Sequence, residues 1–123
     1  MIKHTYDMGV VGNCAFLALI GTDTAVRWLC WPRFDSSFVF GPLLDEQKGG
    51  EYSIRPAGEF TSHQYYVPNT NVLVTEITTA AGSYRVTDFA PRFMQYERYY
   101  KPLMFIRKVE VVSGAPRVRV ACR

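Results

Sequence analysis

The sequence predicts an all-β fold, an antiparallel β-sandwich, and three observations support this prediction. Short runs rich in aromatic and β-branched residues recur along the chain, with turn residues between them. Several of the separating segments have hairpin length and contain glycine. Only one segment could be helical, and Pro42 interrupts it. Roughly eight strands at this spacing are typical of a sandwich or a barrel.

The predicted strands follow one another in chain order. Hairpin turns are expected at Gly21 to Thr24, at Ala80 to Gly82 and at Ser113 to Pro116. Pro56 and Pro68 end two strands, because proline cannot donate a hydrogen bond to a ladder. The predicted strands are 14–20, 25–31, 51–56, 63–68, 71–79, 83–91, 103–112 and 117–123.

The segment "DSSFVFGPLLDEQ" is the one candidate for helical structure. Asp35, Ser36 and Ser37 are good N-cap residues. Pro42 would lie beyond the first turn of a helix that began there, at a cost of roughly 3 kcal/mol. We therefore expect two short turns near Gly41-Pro42, and at most one short helical turn near 36–46.

Three of the predicted strands are informative about burial, because of how apolar and polar residues are distributed over their two faces. The segment 14–20 is apolar throughout, and the first half of 103–112 is apolar on both faces. Strands of a small isolated sandwich normally keep one wet face, so these two are expected to be covered on both sides by more chain than is present here. The segment 117–123 alternates arginine with valine and cysteine, which predicts a half-buried strand with a solvated arginine face.

Length and composition indicate one soluble domain, residues 1–123. Hydrophobic residues make up 48% and charged residues 20% of the 123, which is typical of globular domains. The net charge is only +3, and the lysine and arginine residues are scattered along the chain, so no nucleic-acid partner is expected. No apolar stretch approaches the roughly 20 residues of a membrane helix, and the N-terminal region does not resemble a signal peptide. These features predict a cytoplasmic protein that does not enter a membrane.

The residues with catalytic or ligating chemistry form no recognisable motif. Cys14, Cys30 and Cys122 lack a CxxC motif or a nearby histidine pair, so they are interpreted as reduced core residues. His4 and His63 are isolated, and no nucleophile elbow or phosphate loop occurs. No metal and no cofactor is therefore predicted.

Glycosidic chemistry needs two carboxylates at a defined separation, and sequence spacing alone does not supply that distance. Asp88 lies near a strand end and is expected to accept local backbone hydrogen bonds. Asp45-Glu46 is expected in a solvated turn. The acidic candidates are Asp7, Asp35, Asp45, Glu46, Asp88 and Glu97.

The stretch "WPRFDSS" is the strongest candidate site. Trp31-Pro32 ends a strand, so Trp31, Arg33, Phe34 and Asp35 are expected at a sheet edge or loop tip. Arg33 and Asp35 are two residues apart and could form an ion pair on one side of an extended backbone. Aromatic and charged residues together suit a sugar site or a domain-docking surface, and docking is favoured.

The segments that carry this stretch resemble a known family. "MGVVGNCAFLALIGTDTAVRWLCWPRFDSSFVFGPLLDEQKGGEYSIRP" is similar to the N-terminal region of glycoside hydrolase family 15, the glucoamylase, glucodextranase and trehalase-like α-glucosidases. The later segments "YYVPNTNVLVTEITTAAGSYRVTDFAP" and "LMFIRKVEVVSGAPRVRVACR" resemble the same region.

The resemblance implies a non-catalytic domain of a larger enzyme. In that family the N-terminal β-sandwich is part of a β-supersandwich, and a separate (α/α)6 barrel carries the catalytic glutamates. The chain alone is then expected to be inactive, with no catalytic residue of its own. Trp31, Arg33, Phe34 and Asp35 would lie at the substrate-pocket rim or at the seam with the barrel, and an α-glucoside would bind only in the full enzyme.

Two further expectations follow. A free-standing carbohydrate-binding or protein-interaction module is the alternative to the enzyme-domain hypothesis. Apolar sheet faces that the rest of the enzyme would cover should be exposed in this chain, which predicts a homo-oligomer.

Overall fold

The computed structural model describes residues 6–123, and its regular elements are all β-strands in antiparallel pairing, as the sequence predicts. No helix within 6–123 is long and apolar enough to cross a membrane. The strands are β1 Met8–Gly12, β2 Leu17–Gly21, β3 Val26–Cys30, β4 Phe38–Phe40, β5 Tyr52–Pro56, β6 Thr61–Tyr66, β7 Leu73–Thr79, β8 Gly82–Phe89, β9 Phe93–Gln95, β10 Arg98–Tyr100, β11 Ile106–Gly114 and β12 Val118–Cys122.

Two four-stranded sheets and two two-stranded ribbons make up the sandwich. One sheet has the order β1-β2-β3-β4 and the other has the order β11-β8-β7-β6, while β5 pairs with β12 and β9 with β10. Leu73 of β7 packs in one apolar cluster with Ile20 of β2 and with Phe16, which directly precedes β2. Ile54 of β5 packs in a second cluster with Tyr84 of β8. The first sheet and the β5–β12 ribbon therefore share the inner face of the second sheet.

A buried polar network ties the layers together beside this core. The Ile54 carbonyl accepts hydrogen bonds from Thr24 Oγ1 at 2.8 Å and from the Tyr84 hydroxyl at 2.9 Å. Arg107 of β11 forms an ion pair of 2.7 Å with Asp88 of β8, and it also donates to the Thr24 carbonyl. The exposed fractions of the Arg107 and Asp88 side chains are 1% and 0%. Arg107 thus links the second sheet to the β2–β3 turn.

Two of the three predicted hairpins are confirmed and the third is wrong. The turns at 21–24 and 80–82 join β2 to β3 and β7 to β8. The segment 113–116 does not join a paired hairpin, because β11 pairs with β8 and β12 pairs with β5. Full alignment of β11 along β8 places Arg107 opposite Asp88. The chain then crosses to the other layer before β12 begins.

Four short strands were not predicted: β1, β4, β9 and β10. The strand β4 lies inside the segment expected to form only turns and at most one short helical turn. After β4 the Gly41 carbonyl accepts hydrogen bonds from Leu44 N at 3.0 Å and Asp45 N at 3.3 Å, which is one isolated turn and not a helix. Phe40 is buried and pairs with Leu29 of β3, so core packing draws this stretch into the sheet. Turns follow β4 between residues 42 and 48.

The valine face of β12 is not half-buried, so that prediction is wrong. Val118 and Val120 are 37% and 61% exposed, although they share the face of β5 that carries buried Ile54. The neighbouring edge strand β11 shows the same feature, with Val109 43% and Val111 67% exposed. The sandwich is therefore open on the side where β11 and β12 lie.

Candidate functional site

The four predicted site residues lie in the loop that follows β3. Arg33 to Ser36 form a tight turn, in which Ser36 N donates to the Arg33 carbonyl at 3.1 Å. Arg33 N donates to Ser36 Oγ at 3.2 Å and closes the turn from the other side. This turn places Phe34 and Asp35 at the loop tip, where both are exposed.

Arg33 and Asp35 form the predicted ion pair, but the backbone between them is turned and not extended. Arg33 Nε lies 3.1 Å from Asp35 Oδ1, and Arg33 Nη2 lies 2.8 Å from Asp35 Oδ2. The two side chains are 74% and 71% exposed. The fork of two parallel hydrogen bonds holds both groups in fixed positions that a ligand or a second domain can reach.

Trp31 and Phe34 occupy different environments. The Trp31 ring is half-buried and lies 4.7 Å from the buried Phe16 ring, centroid to centroid. Phe34 is 54% exposed. Trp31 therefore anchors the loop to the core, and Phe34 presents an aromatic face to the outside.

The neighbouring loop between β1 and β2 is fixed by a buried asparagine. Asn13 is 2% exposed, and its Nδ2 donates to the Pro91 and Pro102 carbonyls at 3.1 and 3.0 Å. Its Oδ1 accepts a hydrogen bond from Ala15 N at 3.0 Å. These bonds place Cys14 at the surface with a left-handed φ of 72°.

The hairpin β9–β10 lies on the other side of Cys14. Arg92 Nη1 lies 3.1 Å from Cys14 Sγ, and the Arg92 guanidinium lies 4.7 Å from the centre of the Tyr99 ring. Tyr96 and Glu97 form the two-residue hairpin turn, with φ values of 50° and 62°. Positive φ at both positions is the geometry of a type I′ turn, which matches the twist of the flanking strands.

These three segments form one surface, which we call the end surface: the loop 31–36, the loop 13–15 and the hairpin with its leading arginine, 92–100. Cys14 lines two concavities of this surface. One lies against Pro32 and Phe34. The other is a hollow of about 470 Å³ that reaches Arg92 and Phe93. The end surface is rich in exposed rings, which are Phe34 54%, Phe93 46%, Tyr96 90%, Tyr99 64% and Tyr100 49%.

The β9–β10 hairpin was not predicted, because its usual sequence signals are absent. Tyr96-Glu97 is not an Asn-Gly or Asp-Gly turn pair, and each flanking strand has three residues. The available signal was the density of aromatic residues between 93 and 100. Rings at this density require either a core or a contact surface, and here they are exposed.

Carboxylate chemistry at this surface is limited. Asp35 is engaged with Arg33, Glu97 is exposed in the hairpin turn, and Asp88 is 0% exposed. The prediction that Asp88 accepts local backbone bonds is wrong, since its partner is Arg107 on the adjacent strand. Burial raises the pKa of the Asp88 carboxyl above its ordinary value, and the hydrogen bonds and charge of Arg107 oppose that rise.

Asp45 does lie in a solvated turn, where it accepts bonds from Gln47 N and Lys48 N.

The remaining candidates supply no metal centre in the described part of the chain. Within 6–123, no three His, Cys, Asp or Glu side chains are grouped so as to hold a metal ion. Only Cys30 of the three cysteines is in the core, so the core prediction is wrong for Cys14 and Cys122, which are exposed. His63 is exposed and its ring lies 5.4 Å from that of Tyr65. His4 lies outside the described residues.

Comparisons with known proteins identify similar sequences. The model of a family described as "Trehalase-like, N-terminal" matches residues 5–122. A trehalase from Thermoplasma volcanium is 38% identical over 86 residues, which cover 68% of this chain and 14% of the relative. Trehalase 1 from Sulfolobus acidocaldarius is 42% identical over 86 residues, covering 68% and 15%. A trehalase from Thermoplasma acidophilum is 40% identical over 105 residues, covering 83% and 18%.

The matched region is a small part of each relative. The chain spans less than one fifth of the length of these three trehalases. No solved structure matches the chain at a significant level.

Proposed function

Because this chain belongs to the family of trehalase-like N-terminal domains, we propose that it is the non-catalytic β-domain of an α-glucoside hydrolase. In this proposal the domain packs on a catalytic barrel and contributes the end surface to the rim of the substrate pocket. The barrel supplies the general acid and the general base. Trehalose is the proposed substrate of the whole enzyme, since the similar proteins are named trehalases.

The observation that carries the rim proposal is the exposed loop tip at 33–35. Phe34 is 54% exposed, beside the Arg33–Asp35 fork and after Trp31, which packs on the core. Aromatic and arginine side chains are enriched among the residues that dominate protein contacts. Aromatic faces also stack on the C–H patches of sugars, so the same tip suits a pocket rim.

A chimeric enzyme tests the proposal. Residues 1–123 replace the matching N-terminal segment of the Thermoplasma acidophilum trehalase, and kcat/KM is measured for trehalose. We expect Phe34→Ala and Arg33→Ala each to lower kcat/KM about tenfold, which corresponds to about 1.4 kcal/mol of lost transition-state stabilisation. The melting temperature should change little, because both side chains are exposed.

Leu44→Ala is the matched control for this experiment. Leu44 is 70% exposed, and its neighbour Leu43 binds the backbone of Arg27 at the start of β3, away from the loop that follows the strand's end. Its removal should leave kcat/KM at the parental value. If Phe34→Ala and Arg33→Ala behave like Leu44→Ala, the end surface has no part in the rim or in docking.

A free-standing carbohydrate-binding or protein-interaction module is the second candidate. The feature that favours it is the β9–β10 hairpin, whose tip Tyr96 is 90% exposed. Titration of the 123-residue chain with trehalose and maltooligosaccharides, followed by tryptophan fluorescence, separates the two. The enzyme-domain proposal expects no saturable change, whereas a complete sugar site in this chain gives a saturable one.

Self-association is also proposed for this chain, since apolar side chains of β11 and β12 lie uncovered at the open side of the sandwich. Exposed apolar surface of this kind at a sheet edge is a common contact between copies.

A further inference from the structure

The strand β11 has a free edge along the open side of the sandwich. With nine residues it is the longest strand of the described chain, and it pairs with β8 on one side only. An edge of this length exposes a row of backbone donors and acceptors that can bind another strand. Proline does not occur within β11, and its register shift lies between Val111 and Ser113, so the edge is regular from Ile106 to Val111.

The side chains of β11 add apolar surface to this edge. Val109 and Val111 are 43% and 67% exposed on the inner face of the sheet, and Val112 is 50% exposed. Valine is favoured in strands because its branched side chain packs well on a pleated surface. Burial of these side chains against a second strand would add a hydrophobic contribution to the backbone hydrogen bonds.

We propose that two copies of this chain pair through their β11 strands, antiparallel, about a two-fold axis at Val109. Residues that lie opposite each other in an antiparallel pair point to the same face. The two-fold axis therefore passes midway between a residue and its own copy, which lie opposite each other. The charged residues of the strand decide which residue this is.

Only the axis at Val109 pairs opposite charges. It places Lys108 of each copy opposite Glu110 of the other, whereas an axis at Lys108 or at Glu110 sets like charges opposite each other. Lys108 Nζ and Glu110 Oε1 already lie 3.2 Å apart on one face of the strand, so the pairing forms a cluster of two lysines and two glutamates. Opposite charges in cross-strand pairs stabilise a sheet and like charges destabilise it.

The other long edges fit a second copy less well. The strand β12 carries Arg119, is flanked by Arg117 and Arg123, and contains no acidic residue, so self-pairing would bring arginines together. The strand β6 begins with exposed Thr61, Ser62 and His63, and it offers little apolar surface to bury. The charge pattern thus favours β11.

Sedimentation velocity on the 123-residue chain is the first test. We expect the chain to be dimeric at about 100 µM, which corresponds to a dissociation constant below that concentration. Lys108→Glu and Glu110→Lys should each weaken the dimer about tenfold, because each puts like charges opposite each other twice. The double variant, in which both charges are exchanged, should recover the wild-type affinity.

Two features make these variants interpretable. Glu59→Lys changes the charge by the same amount as Glu110→Lys at an exposed loop position, and it should leave the dimer unchanged. Lys108 pairs with Thr87 of β8, so Lys108→Glu does not disturb the Glu110–Arg85 pair within the sheet. Thermal melting of each variant confirms that the fold is intact.

Cysteine cross-linking gives a second test that reports the register directly. In a Cys14→Ser, Cys122→Ser background, Val109→Cys lies opposite its own copy at a distance compatible with a disulfide. In Val111→Cys, the new thiol lies four residues along the strand from the same position of the other copy. This distance is too long for a disulfide bond. Oxidation should therefore link Val109→Cys into dimers and leave Val111→Cys as monomers.

The results that would overturn the proposal are distinct. A chain that is monomeric at about 100 µM shows that this edge does not bind a second copy. A dimer that ignores the charge exchange, or that links Val111→Cys as readily as Val109→Cys, uses another surface or another register.

Discussion

Two Arg–Asp pairs in this molecule have similar bond lengths and opposite surroundings. Arg107–Asp88 has a shortest contact of 2.7 Å and exposed fractions of 1% and 0%. Arg33–Asp35 has a shortest contact of 2.8 Å and exposed fractions of 74% and 71%. The first joins two strands and reaches the Thr24 carbonyl, while the second closes on itself within one loop.

The comparison teaches that the role of an ion pair depends on what surrounds it. Water screens and solvates the exposed pair, so it contributes little to folding and remains available to a partner. The buried pair cannot exchange its partners for water, so the fold depends on every one of its contacts. Loss of one partner of the interior pair is therefore expected to destabilise the fold, and the end-surface pair is proposed to serve contact with substrate or barrel.

Removal of Arg107 should give the largest effect. Arg107→Met leaves the Asp88 carboxylate buried without its cation, and we expect a loss of about 3–5 kcal/mol in the free energy of unfolding. Chemical denaturation measures this loss. The double variant Asp88→Leu, Arg107→Met should recover part of it, since neither charge is then buried alone.

Asp35→Ala is the exposed counterpart of that experiment. Its expected cost is less than about 0.5 kcal/mol, because the pair is solvated on both sides. Equal losses for Arg107→Met and Asp35→Ala would show that burial does not separate the two pairs.

Trp31 and Phe34, the two aromatic residues of the 31–36 loop, should differ in how much they contribute to the free energy of unfolding. Trp31→Ala is expected to cost about 2 kcal/mol of stability, roughly half the value for a fully buried tryptophan, because its half-buried ring packs on Phe16. Phe34→Ala should cost less than about 0.5 kcal/mol, since Phe34 is largely exposed. Denaturation of both variants in the 123-residue chain checks the difference, and a costly Phe34→Ala would place that ring in the core.

Buried Tyr84 should also make the stability of the fold depend on pH in the alkaline range. Burial raises the pKa of Tyr84 from 10.0 to about 12. Since the folded pKa is the higher one, the phenol contributes stability below pH 10, and that contribution is lost as the pH rises toward about 12. We expect a decrease on the order of 1 kcal/mol per pH unit in this window.

Tyr84→Phe tests this origin of the alkaline sensitivity. The variant should be less stable at neutral pH by about 1 kcal/mol, because it loses the hydrogen bond to the Ile54 carbonyl. Its stability should then fall less steeply above pH 10 than that of the wild type. Tyr96→Phe, at the exposed hairpin tip, is the control that should keep the wild-type curve. Parallel curves for all three proteins would exclude Tyr84 as the cause.

Much of the fold could be predicted from local patterns. Alternation and turn residues identify the longer strands and the hairpins at 21–24 and 80–82, because pleating and turn geometry are local properties of the chain. The three-residue strands β4, β9 and β10 lack a detectable pattern at that length. They depend on partners that lie elsewhere in the sequence or on unusual turn conformations.

The candidate site was predicted in part. The "WPRFD" stretch was identified from its composition, and the Arg33–Asp35 pair follows from two residues that are close in sequence. The hairpin at 92–100 and its link to Cys14 were missed, because Arg92 and Cys14 are 78 residues apart. A contact over that separation depends on the whole sheet arrangement.

By itself, the sequence determined the all-β class, the antiparallel pairing, the family resemblance and the position of the exposed loop tip. These follow from residue periodicity, from turn chemistry and from contiguous motifs. Only the tertiary structure decided that Asp88 is buried against Arg107, that β11 pairs with β8 and not with β12, and that the valines of both edge strands are exposed. Burial and strand neighbours are properties of the assembled layers, and no local pattern specifies which layer covers which face.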